Sequence, residues 1–166
     1  MNESEIAKIL REAVKDSDIE KVRSLISQSK ERLHHMTPFG TWLHIAAKGG
    51  DLDLIHYLIS MGADVNARGG TFGGSPVNLA AGYGQVLAVR ALLAAGATLD
   101  TSESVRNPLF SAIQGGHLEI VKLLIENGID YKVRYSGESM KDMGALEFAQ
   151  ERGEMKIVDY LRSLRS

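Results

Sequence analysis

Cysteine is absent from this 166-residue chain, which excludes a disulfide framework, a zinc finger and thiol catalysis together. A basic surplus is missing as well. Lys and Arg number 19 against 21 Asp and Glu, a formal charge of −2, whereas a nucleic-acid binder normally carries an excess of cations. No apolar run approaches the roughly 18 residues that cross a bilayer. The N-terminal MNESEIAKIL carries acids and leads into no apolar stretch of secretory length, so cytoplasmic residence is the expectation. Proline is scarce, at 3 against 17 glycines, a ratio that fits neither a linker nor a low-complexity segment. With 44% hydrophobic residues the chain is long enough for one core and too short for two ordinary domains, so residues 1–166 read as a single domain.

What is present is a repeat. Five segments superimpose: Leu10–Ala13, Leu43–Ala46, Val77–Ala80, Leu109–Ala112 and Leu146–Ala149. Their leading residues lie 33, 34, 32 and 37 positions apart. Seven residues after each lead comes Ser17, Gly50, Gly84, Gly116 or Gly153. An apolar i, i+3, i+4 pattern follows, as in Ile55/Leu58/Ile59 and Val121/Leu124/Ile125, and marks one face of a helix. Each unit therefore reads as a short helix, a glycine-containing turn and a second helix. Gly62, Gly96 and Gly128 then stop the second helix of the middle units, as residues that accept positive φ do. So short a helix pair cannot bury its own apolar face, and the units must stack.

Thr41-Trp-Leu-His44, Ala46-Ala47 and Gly62-Ala-Asp-Val-Asn66 resemble the ankyrin repeat. So do Ser75-Pro-Val-Asn78 and Asn107-Pro-Leu-Phe110 with Gly116-His-Leu-Glu-Ile-Val121, and the period of about 33 is the ankyrin length. The resemblance covers roughly residues 5–165 and implies an all-α solenoid of helix-turn-helix units with projecting β-turn fingers. About five units follow, at residues 5–35, 36–69, 70–102, 103–135 and 136–166. The first and last are polar enough to serve as caps. The family's usual role, protein–protein binding through the fingers and inner helices, is the expected function. Small cysteine-free chains of this style resemble bacterial stand-alone ankyrin proteins, several of which are immunity proteins or inhibitors that cover a toxin or an enzyme. An adaptor joining two partners is the alternative. The chain departs from the family pattern at Trp42, in place of proline, and at Asn78, Phe110 and Glu147, in place of histidine. Those three exchanges put the family's inter-repeat hydrogen bonds in doubt.

Three connections break the period. Residues 67–75 are one residue longer than regular, 101–107 one shorter and 132–144 four longer, and such irregularities in solenoids fall on one face, often the binding face. The first sets Phe72 among Gly69, Gly70, Gly73 and Gly74, which reads as a flexible finger with an aromatic tip. The last offers Arg134, Tyr135 and Met140. Charge is uneven too: residues 1–35 hold 14 charged side chains, 36–100 hold 7 and 101–166 hold 19. The charge-poor middle contains Phe39, Trp42, Phe72 and Tyr83, and charge depletion with aromatic enrichment marks interface cores. The same depletion also suits repeats buried between neighbours. Candidate partner contacts are Phe39, Trp42, Lys48, Phe72, Tyr83, Arg106, Gln114, Arg134, Tyr135 and Met140. Trp42 carries two readings, a binding anchor or a packing residue across the junction with the first unit. Phe110, His44 and His117 read as structural.

Chemistry finds little support. None of His34, His35, His44, His56 and His117 forms a helical ligand pair, so no metal is expected. The glycine pairs of Gly69–Gly74 are followed by no Lys-Ser/Thr, and no Gly-x-Ser-x-Gly elbow exists. Asp51 and Asp53 read as charges at a helix N-terminus. The expectation is a non-enzymatic protein with no cofactor, no metal, no nucleic acid and no membrane partner.

Overall fold

The helices begin and end at the punctuation of the repeat. The computed structural model describes residues 1–165. In chain order the helices are α1 (Glu3–Lys15), α2 (Ile19–Gln28), α3 (Trp42–Gly49), α4 (Leu52–Ser60), α5 (Pro76–Gly82), α6 (Val86–Ala94), α7 (Pro108–Gln114), α8 (Leu118–Glu126), α9 (Ala145–Arg152) and α10 (Met155–Ser163). Asn2 caps α1 in a box with Glu5, each side chain accepting from the other's backbone N–H at 2.9 Å. Asp51 caps α4 by accepting from Leu54 N at 3.0 Å, the helix-end role its position implied. Pro76 and Pro108 open α5 and α7, where a missing N–H costs nothing.

The turn inside each pair requires a left-handed residue. Gly84 has φ +76°, and a Cβ there would lie 2.6 Å from Cε1 of His117 in the following unit. The first unit meets the same need with Ser17 at φ +58°. A non-glycine residue in that region stores about 1–2 kcal/mol. Gly62, Gly96 and Gly128 follow the outer helices with φ between +86° and +98°, as expected of terminating glycines.

The helices form two layers. The inner helices α1, α3, α5, α7 and α9 pack each on the next, and α4, α6, α8 and α10 do the same behind them. The fourth-position alanines Ala13, Ala46, Ala80, Ala112 and Ala149 are all buried, which lets neighbouring inner helices approach closely. The core is one continuous stripe from Ile6 to Leu161. The fold is thus an all-α solenoid, and among the described residues extended pairing is confined to three isolated bridges, Thr37 with Gly40, Gly69 with Gly74 and Tyr135 with Met143. Each bridge closes the base of a projecting finger.

Buried polar groups tie the units together. His44 Nδ1 accepts from Thr41 N at 3.0 Å, and Nε2 donates to Gly74 O at 3.0 Å in the next unit. Burial holds its pKa below 6.5, against the opposing effect of the Gly74 bond. Asn78 corrects one expectation. Its amide donates to Val105 O at 3.1 Å and accepts from Ser111 Oγ at 2.6 Å, so asparagine keeps the inter-unit bond that histidine makes elsewhere. The doubt holds at the other two positions. Phe110 substitutes ring packing, 5.0 Å from Phe148 and 5.0 Å from Tyr135. Glu147 instead accepts from the Arg134 guanidinium and from the amide of Gly144, both in the finger that leads into α9. Behind these, Asn66 joins successive loops through Gly96 O and Thr98 N.

Candidate partner-binding groove

The inner helices and the fingers enclose a continuous groove. One part, about 390 Å³, is lined by Phe39 of the first finger, Ile45 and Lys48 of α3, and Leu79 and Tyr83 of the next unit. The adjoining part, about 510 Å³, shares Leu79 and Tyr83 and continues past Phe72, Val105, Gln114 and Met140 to Phe148. Phe39, Phe72, Tyr83 and Val105 are 56%, 65%, 54% and 46% exposed. Large apolar side chains left in water in one contiguous place mark an interaction surface.

The fingers hold these tips by local bonding. Thr37 Oγ1 donates to Gly40 O at 2.8 Å and accepts from Phe39 N at 3.0 Å, which sets the first tip. The second finger packs on the first backbone to backbone: a Cβ on Gly69 would lie 2.8 Å from Gly40 Cα and 2.8 Å from Met36 Sδ. Gly69, which the repeat does not require, therefore has a packing reason.

Of the ten residues singled out by sequence, the groove gathers Phe39, Lys48, Phe72, Tyr83, Gln114 and Met140. The other four do not line it. Trp42 is only 1% exposed, and its indole donates to Arg32 O at 2.6 Å and stacks on His35 at 5.7 Å. Of its two readings, packing across the junction with the first unit is the correct one, and the surface anchor is withdrawn. Tyr135 is likewise occupied. Its hydroxyl donates to Thr101 O at 2.7 Å and accepts from Asn107 at 2.9 Å, and burial raises its pKa against that bond. Arg106 lies 3.4 Å from Asp100 and 2.8 Å from Glu103. Arg134 braces the longest finger through Asp142 at 2.8 Å and Glu147 at 3.2 Å. Both guanidiniums are spent on intramolecular pairs. Asp100, gripped by Ser102, Arg68 and Arg106, sits below the ordinary carboxylate range although burial works the other way.

Sequence reasoning missed Leu79, Val105 and Phe148 as groove residues. Leu79 and Phe148 each stand two positions after a unit's lead, as Ile45 does, and that register was the available signal. Exposure alone misleads, since Leu87 and Met155 are more than half exposed yet line neither part of the groove.

Lys48 Nζ lies 4.8 Å from the Tyr83 ring centroid, where the part rich in α3 residues meets the rest. Among the described residues no group of three or more His, Cys, Asp or Glu could hold a metal ion, and no helix is long and apolar enough to cross a membrane.

Comparison with known proteins agrees with the geometry. A family model described as ankyrin repeats (3 copies) matches residues 10–103 and 43–135. A Rickettsia felis protein named for its ankyrin repeats is 31% identical over 134 residues, covering 79% of this chain and 56% of its own length. The tyrosine-protein kinase HTK16 of Hydra vulgaris is 31% identical over 134 residues, 76% of this chain and 17% of the kinase. The mouse ARF GTPase-activating protein GIT2 is 35% identical over 85 residues, 51% of this chain and 12% of that protein. The chain thus spans about half the length of the first of these relatives and a small part of the others.

Proposed function

The chain belongs to the ankyrin-repeat family, whose repeats are protein–protein interaction modules, and from that membership we propose that it binds one partner protein in the groove and sterically occludes it. The observation that carries the reading is the convergence of Phe39, Phe72, Tyr83 and Val105, from two fingers, one inner helix end and the 101–107 connection, on a single concave surface. A specific interface buries at least about 1,000 Å² in total, so the contact takes in finger tips as well as inner helices. Aromatic side chains there supply large apolar area at little cost in rotamer entropy.

Occlusion is the finer part of the proposal. It covers the case of an immunity protein shielding a toxin, and it differs from an adaptor in the number of partners engaged. A photo-crosslinking amino acid placed at position 72 or 83, and at position 87 on α6 as the control, tests both parts in cells that express the protein. The expected result is one protein captured from positions 72 and 83 and not from 87. Equal capture from position 87 refutes the groove, and different proteins captured from 72 and 87 establish the adaptor instead. The identity of the captured protein decides whether a toxin is involved.

A further inference from the structure

We propose that the segment seated in the groove is an acidic–apolar one: a carboxylate set beside an aromatic or branched apolar anchor, with an uncharged apolar stretch continuing toward α9. The inference rests on the groove being the docking surface and adds the chemistry of what docks there.

The argument is one of desolvation. The part of the groove that runs from Tyr83 to Phe148 is lined by no charged side chain. Any charge a partner placed against that wall would lose water and gain no counter-ion, a cost that excludes charged groups from this stretch. The other part contains Lys15, Lys48 and Asp51. Lys15 lies 3.5 Å from Glu12, and Asp51 accepts from Leu54 N at the start of its own helix. His44, which also lines this part, has both ring nitrogens engaged, Nδ1 by Thr41 N and Nε2 by Gly74 O, and offers a partner no free donor. Lys48 is placed differently. Its ammonium lies over the Tyr83 ring, a contact that favours the charge but provides no oxygen acceptor for its three N–H donors.

A partner that covers Tyr83 also covers Lys48. An apolar partner would leave a desolvated ammonium without an acceptor, whereas a carboxylate would complete a charge-assisted pair. Because the cation touches the aromatic ring, that carboxylate must lie next to the group that packs on Tyr83. The polarity of the ligand follows: acid toward α3, uncharged apolar residues toward α9.

A random peptide display library selected on the folded protein tests this, with wild type, Lys48→Glu, Tyr83→Ser and Leu87→Ser as baits. Circular dichroism confirms that each bait is folded. The expected wild-type consensus is Asp or Glu adjacent to an aromatic or branched residue. A peptide made from that consensus should bind Lys48→Glu about tenfold more weakly in fluorescence anisotropy, lose binding to Tyr83→Ser, and keep its affinity for Leu87→Ser. A consensus without acid, or an affinity unchanged by Lys48→Glu, overturns the acidic preference while Tyr83 dependence leaves the groove in place. Peptides indifferent to Tyr83→Ser overturn the groove reading itself. A selection that enriches nothing overturns the proposal that a linear segment is recognised.

Discussion

Replacement of the single tryptophan is the sharpest test of how the first two units are joined. Trp42 is 1% exposed, packs where α1 meets α3, donates through its indole to Arg32 O at 2.6 Å and stacks on His35. Truncation to alanine removes a large buried ring from the place where α1 packs on α3. Such truncations cost about 3–5 kcal/mol. The Arg32 carbonyl also loses its donor, which for a part-buried group adds about 1 kcal/mol. Trp42→Phe keeps most of the apolar packing and forfeits the bond, so its cost should be about 1–2 kcal/mol. Because stability in a solenoid is a sum of unit and junction terms, the loss should fall on the docking of α1 and α2 and leave the later units folded.

Urea unfolding followed by far-ultraviolet circular dichroism measures the cost, and hydrogen exchange locates it. Since the chain has one tryptophan, wild-type fluorescence gives an independent reading of the same site. Its emission should be blue-shifted and protected from iodide until the junction opens. An alanine variant with a wild-type unfolding midpoint, or a wild-type indole freely quenched in the native state, would refute the junction role and restore Trp42 as a surface anchor.

Two further outcomes follow from particular residues. Ser17→Gly should raise stability by about 0.5–1 kcal/mol, because it relieves a left-handed serine while conceding part of the gain to the freer unfolded chain, and a lowered thermal midpoint would refute this. Burial depresses the pKa of His44 in the folded state, so between that value and 6.5 the unfolded chain binds more protons. The contribution of His44 is fully present above pH 6.5 and declines as pH falls below it toward the folded-state value. His44→Asn, imitating Asn78, should flatten that part of the stability profile, and an unchanged slope would assign it to another group.

The architecture was legible because stacking imposes a period. An inner helix needs an apolar lead, a small fourth residue and a left-handed turn residue wherever it recurs, and all three can be read without any neighbour in view. The departures were legible only as places. Asn78, Phe110 and Glu147 were visible as lost histidines, yet whether a bond survives depends on what stands one unit away. Ser111 and Val105 supply it for Asn78, and nothing equivalent faces Phe110.

The candidate site divides along the same line. An exposed finger tip such as Phe39 or Phe72 is recognisable from the chain because local turn bonding alone puts it in water. Sequence by itself therefore determined the repeat, the helix ends, the fingers and the charge-poor middle, all consequences of local stereochemistry and periodic burial. Only the tertiary structure decided which side chains were free to meet a partner. Trp42 reaches Arg32, Tyr135 reaches Thr101, and Arg134 and Arg106 reach their carboxylates, so side chains of the type found at interfaces are consumed inside the fold. Phe39 and Lys48 of one unit and Phe72 and Tyr83 of the next meet in one groove because stacking brings residues about one period apart side by side.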